Sequence, residues 1–132
     1  MNMVIQIAAI MLRVFGTLAL ILGLLFWSGN GLNLIPVHIL LGLLLVLSLW
    51  IIGLGQAFSK NGSWMLAIGA LALGALLIVF GLRQSALLVG PLHWVIQVIH
   101  LLLGVLAVGI GQISVARYRK ATAGVAANRA SA

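Results

Sequence analysis

Four runs of apolar residues, at about 4–27, 36–58, 64–82 and 91–116, make up most of this chain. A helix needs about 20 residues to cross a hydrocarbon core of about 30 Å. In lipid the backbone N–H and C=O groups must pair within a helix or around a closed barrel, and runs of this length are about twice that of a barrel strand. The expectation is an all-α integral membrane protein, a bundle of four transmembrane helices. Composition agrees: 64% of the residues are hydrophobic and 5% are charged, against about 25% charged in a soluble domain.

The breaks between runs carry turn chemistry. Ser28-Gly-Asn-Gly31 ends the first run, Lys60-Asn-Gly-Ser63 separates the second from the third, and Arg83-Gln-Ser85 closes the third. Ser63 is placed to cap the N-terminus of the third helix. Pro36 and Pro91 suit the first turns of the second and fourth, where a missing N–H is harmless. The first run lacks a basic leader segment and a small-residue cleavage site, so it reads as a retained span rather than a signal peptide.

Charge sets the expected orientation. There are seven Lys and Arg residues and no Asp or Glu. The basic residues form no patch with interleaved aromatics, which argues against a nucleic-acid partner. Lys60, Arg117, Arg119, Lys120 and Arg129 fall on one side of a four-span topology together with Arg13, and Arg83 alone falls on the other. The positive-inside rule then puts both termini in the cytoplasm of a multi-pass protein of the cell (plasma or inner) membrane. Residues 1–116 form the transmembrane domain, and 117–132 a basic cytoplasmic tail, poorly ordered and resting near anionic lipid. Arg13 stands about nine residues inside the first run. It is expected to snorkel to the inner headgroups, or else to reach a backbone carbonyl.

The sequence also reads as a duplicated hairpin, with halves at about 4–58 and 63–116. Phe15-Gly-Thr-Leu-Ala-Leu20 resembles Ile68-Gly-Ala-Leu-Ala-Leu73, Pro36-Val-His38 resembles Pro91-Leu-His93, and Gly53-Leu-Gly-Gln56 resembles Gly109-Ile-Gly-Gln112. Two spans per copy would make the repeats parallel, related by an axis along the membrane normal.

Small and polar residues recur at helical spacing and mark expected packing faces. In the first helix these are Gln6, Ala9, Arg13, Gly16, Leu20 and Gly23; in the third, Ala70 and Gly74; in the fourth, His93, Gln97, His100, Gly104, Ala107 and Gly111. Small residues let helices approach closely in lipid, and polar ones hydrogen-bond between them. Three tryptophans, Trp27, Trp64 and Trp94, suit the interfacial belt, and Trp50 reads as internal packing.

Much chemistry is excluded by missing residue types. Without Asp or Glu there is no carboxylate proton relay, no carboxylate-bridged metal site and no Ser-His-acid triad within the chain. Zero Cys removes disulfides, thiolate metal sites, iron–sulfur clusters and covalent haem. A retinal Schiff base would need a buried Lys, and Lys60 is in a loop. No filter or charged ring suggests a pore. Histidine remains. His38 and His93 each follow a Pro by two residues, which makes them equivalents at one level. His100 lies deeper, near mid-bilayer. His38 and His100 are both followed four residues later by glycine, Gly42 and Gly104, which would leave room for a flat ring beside the imidazole.

Two functions follow as expectations. The first is a non-enzymatic packing protein, self-associating or an accessory subunit of a larger membrane complex. The alternative is a b-type haem protein in electron transfer, with His38 and His93 as ligands and His100 supporting or replacing His93. His38 with His100 is the less favoured pair, because the proline-based register separates them by seven residues, roughly 10 Å.

Overall fold

In the computed structural model, which describes residues 2–130, the chain folds into four helices: α1 (Met3–Trp27), α2 (Ile35–Ala57), α3 (Trp64–Arg83) and α4 (His93–Ala130). All four are long and apolar enough to cross a membrane. Single 3-10 turns, Leu32–Leu34 and Gln84–Ala86, lead into α2 and follow α3. The α1–α2 connection reverses through Gly29 and Gly31, whose φ values of +79° and +67° are strained for a residue with a Cβ.

Side-chain chemistry sets the helix ends. Asn2 caps α1 by accepting from the Val4 N–H at 2.9 Å, and Ser63 caps α3 through Leu66 at 3.4 Å, as its sequence position implied. Gln56, fully buried near the end of α2, closes the α2–α3 connection. Its carboxamide donates to the Ser63 carbonyl at 2.6 Å and accepts from the Ser63 N–H at 3.1 Å. A buried polar group has to be paired in this way, and here the pairing ties two helix ends together.

Pro36 stands in the first turn of α2, as its position implied, and the 3-10 turn from Leu32 runs into that helix without a break; Pro91 lies in the turn ahead of α4. The segment read as a tail without fixed order continues α4 unbroken through Arg117, Arg119, Lys120 and Arg129 to Ala130. Extending an existing helix needs no new nucleus, and Ala, Arg and Lys are strong helix formers. At 38 residues, α4 is roughly 57 Å long, well beyond one hydrocarbon core.

Helices α2 and α4 each contact all three other helices, and they meet across the centre. The core contains Leu12 of α1, Leu45, Val46, Leu49 and Ile52 of α2, Ala70, Leu73 and Leu77 of α3, and Ala107 and Val115 of α4. Lipid removes the hydrophobic drive between helices, so close approach and dispersion hold such a bundle. Gly111 provides one approach, with the Leu12 side chain filling the space of its missing Cβ. Gly74 provides another, with Trp50 and Val46 in that space. A Cβ at Gly16 would stand 2.9 Å from Val108 and 3.3 Å from Leu45.

The stripe expected on α1 is rotated. Ile5, Ala8, Ala9 and Leu12 are the buried residues of α1, while Gln6, Arg13 and Leu20 are exposed. Of that stripe Ala9, Gly16 and Gly23 turn toward neighbours, and Arg13 reaches α4 through the end of its side chain. Polarity does not mark the inner face when lipid is the solvent, because apolar side chains serve equally on either side. On α4 the expected stripe holds better: Ala107 and Gly111 are buried, and His93, Gln97, His100 and Gly104 are half-buried.

Candidate functional site

The end of the bundle opposite Lys60 gathers two histidines from two helices. The rings of His38 (α2) and His100 (α4) face each other with centroids 6.2 Å apart and planes inclined at 57°. His38 also meets Phe26 of α1 edge-on at 5.4 Å. Neighbouring helices make room for both rings with glycines. A Cβ at Gly23 of α1 would lie 3.6 Å from His38 Cε1, and one at Gly81 of α3 would lie 3.0 Å from His100 Cε1. All four helices therefore contribute to the surroundings of the pair.

The nitrogens are the chemically informative part. The backbone of Ala19 on α1 is a polar neighbour of the His38 ring. His38 Nδ1 and His100 Nδ1 are both buried, and neither has a hydrogen-bond partner among the described residues. A polar atom withdrawn from solvent and left without a partner costs about 1–3 kcal/mol. Two such atoms thus stand on neighbouring rings whose centroids are 6.2 Å apart.

Beside the pair, the positions of Gly42 and Gly104 are open. Nothing lies within 4 Å of where a Cβ would stand at either one. These glycines are thus not helix-packing positions, unlike Gly16, Gly74 and Gly111. Each lies one turn further along its helix than its histidine and leaves free space on that turn.

His93 is placed apart from this pair. It begins α4, and its Nδ1 lies 3.2 Å from the Leu87 carbonyl of the α3–α4 connection, a local tie. The sequence register set His38 level with His93 because each follows a Pro by two residues. The prolines occupy different places, one within a helical path and one before it. Measured from Leu32 and His93, where the helical paths start, His38 and His100 are both roughly two turns in. That is why these two meet.

A second polar pair lies toward the basic end. Arg13 of α1 donates through Nε and one terminal nitrogen to Gln112 Oε1 of α4, at 3.2 and 2.9 Å. Its partner within the protein is a neutral carboxamide and not a backbone carbonyl. Sequence reasoning used Gln112 only as part of a repeated Gly-x-Gly-Gln. A lone carboxamide in an apolar run, in a chain with one cation inside another run, was the available signal.

Chemically, the histidine pair can supply two imidazole nitrogens and little else. Among the described residues no three His, Cys, Asp or Glu side chains gather as a metal-binding group. A bare zinc ion at a structural site takes four protein ligands, which this pair cannot provide. A haem iron takes four nitrogens from its own macrocycle and asks only axial ligands of the protein. His38 and His100 would be the residues to hold such a group through ring nitrogens, and it would supply one-electron chemistry there. No protein-family model matches the chain, and no curated protein or solved structure does so either.

Proposed function

We propose that this four-helix membrane protein holds one b-type haem through His38 and His100 and serves in electron transfer within the bilayer. The observation that carries the reading is the approach of two imidazoles to 6.2 Å between ring centroids, each with a buried Nδ1 that has no partner. Open space at Gly42 and Gly104 supports a flat macrocycle lying against α2 and α4. With both termini in the cytoplasm, as the distribution of Lys and Arg implies, the site lies toward the outer leaflet of the cell membrane. Haem supplies one-electron chemistry when bound. The protein's part is to hold two neutral imidazoles level, to keep water from them with Phe26 and the surrounding helices, and to leave the position one turn beyond each histidine, Gly42 and Gly104, without a side chain.

Purification of the full chain in mild detergent, after expression with haem supplementation, tests the reading. A Soret band that sharpens and shifts on reduction is expected, and it disappears in His38→Ala and in His100→Ala. A colourless wild-type protein under those conditions refutes it and leaves a packing bundle.

One observation favours accessory assembly as a second reading. Arg13 is exposed on α1 and is answered only by a neutral carboxamide, in a chain with no acidic residue. A second copy cannot neutralise it, so a different membrane protein with an acidic helix would be the complement. Co-purification that is lost in Arg13→Leu and kept in His100→Ala would support this reading.

A further inference from the structure

At the basic end of the bundle, α1, α2 and the extension of α4 part around a groove of about 560 Å³. Its wall is apolar, with Ile5 of α1, Ile51 of α2 and Val125 of α4. Its polar side chains are Asn2, Ser59, Lys60, Tyr118 and Thr122. We propose that this groove binds an anionic phospholipid of the inner leaflet, headgroup toward Lys60 and the start of an acyl chain along the Ile5–Ile51 wall. This is separate from the haem reading and lies at the opposite end of the protein.

Four observations converge on that occupant. The volume is within the usual range for small-molecule sites, about 300–1,000 Å³. The lining pairs an apolar wall with a cation and neutral donors, which matches an amphiphile and not a wholly polar metabolite. The charge is one-sided: no Asp or Glu occurs in the chain, so Lys60 has no carboxylate partner of its own. Helical geometry adds to the field. Tyr118 and Val125 line the groove, and at about 100° per residue Arg117 and Arg119 flank that face and Arg129 continues it. Basic residues near an anionic leaflet are attracted to it, and several surround this opening.

The groove exists because α4 does not end where the hydrocarbon does. Tyr118 and Val125 lie beyond residue 116, in the stretch whose composition alone suggested a loose tail. As a helix it stands over the open end of the α1–α2 pair and makes a third wall. A binding site rather than a diffuse polybasic attraction predicts a defined stoichiometry and sensitivity to shape as well as to charge.

The test is native mass spectrometry of the full chain in detergent, with phosphatidylglycerol and phosphatidylcholine of identical acyl chains added in equal amount. One phosphatidylglycerol retained in several-fold preference over phosphatidylcholine is expected. The preference should fall several-fold in Lys60→Gln, recover in Lys60→Arg, and fall in Val125→Trp, which fills the groove from an exposed helix and spares the core. Equal retention of the two lipids by the wild type overturns the proposal. So does an unchanged preference in either Lys60→Gln or Val125→Trp, which would make the attraction a general property of the basic end. A dimer that Val125→Trp dissociates would assign the groove to a second copy and also overturn it.

Discussion

Arg13 and Gln112, 99 residues apart in sequence, join α1 to α4 through two hydrogen bonds to a single carboxamide oxygen, at 3.2 and 2.9 Å. The bonds place an isolated cation on a fixed neutral acceptor at the surface of the bundle. Removing either side leaves the other short of a partner.

The coupling of this pair is measurable. A double-mutant cycle with Arg13→Leu and Gln112→Leu, followed by unfolding in detergent, should return an interaction energy of about 0.6 kcal/mol and not more than about 1.7, the range for interhelical hydrogen bonds in membrane proteins. Gln112→Glu should stabilise the protein relative to Gln112→Leu, because it supplies the carboxylate that the chain lacks. Additive single mutants would show that the contact does no energetic work.

Glycines separate into two classes by what surrounds them. Gly74→Ala pushes a methyl into Trp50 and Val46, and overpacking of this kind costs about 1–3 kcal/mol. Gly104→Ala meets nothing within 4 Å and removes the helix penalty of glycine, so it should be neutral or stabilising by up to about 1 kcal/mol. Thermal midpoints of the two variants without haem should move in opposite directions or differ clearly. In the haem reading Gly104→Leu keeps the fold and loses the Soret band.

The two histidines of α4 should behave differently. His93→Ala breaks only the local tie to the Leu87 carbonyl at 3.2 Å, so the optical spectrum of the haem-loaded protein should be unchanged. His100→Ala removes one of the facing rings and should abolish it. A spectrum that depends on His93 and survives loss of His100 would restore the register inferred from the prolines.

Gln56 should matter more than the cap it adjoins. Ser63→Ala removes one capping bond, at about 1 kcal/mol. Gln56→Leu takes the side-chain acceptor from the Ser63 N–H, while the Ser63 carbonyl keeps the Ala67 N–H at 3.3 Å, and an unsatisfied N–H costs about 1–3 kcal/mol. Proteolytic nicking at Lys60 should therefore accelerate more in Gln56→Leu than in Ser63→Ala.

Orientation can be read from single cysteines, since the chain has none of its own. With an impermeant maleimide on intact cells, Ser85→Cys should react and Ser59→Cys should react only after permeabilisation. The reverse pattern would invert the topology.

Much of the fold was legible in the residues. The number of spans follows from run length against bilayer thickness, and the observed helices start and stop within two residues of the expected bounds, except at the end of α4. Ser63 announced its cap. The segregation of Lys and Arg to one end was plain, although its helical extension was not: small and basic residues suit a disordered tail and a continued helix alike. What the chain could not contain was equally plain, because chemistry that needs a carboxylate or a thiol is absent when the atoms are.

The sequence by itself determined the solvent, the number of crossings and the scarcity of polar groups. Only the tertiary structure decided which of those groups meet: His38 with His100, Arg13 with Gln112, Gln56 with Ser63. Periodicity specifies angle around a helix axis, but depth depends on where each helix begins. At 1.5 Å per residue, an error of a few residues changes which side chains are level. Pro36 lies within a helical path and Pro91 ahead of one, so they are unequal markers of depth. Rotation was underdetermined as well, because lipid exerts no preference between two apolar faces. Close approach at Gly111 and Gly74, which depends on the shapes of both partners, turned α1 so that Leu12 rather than Arg13 faces the core.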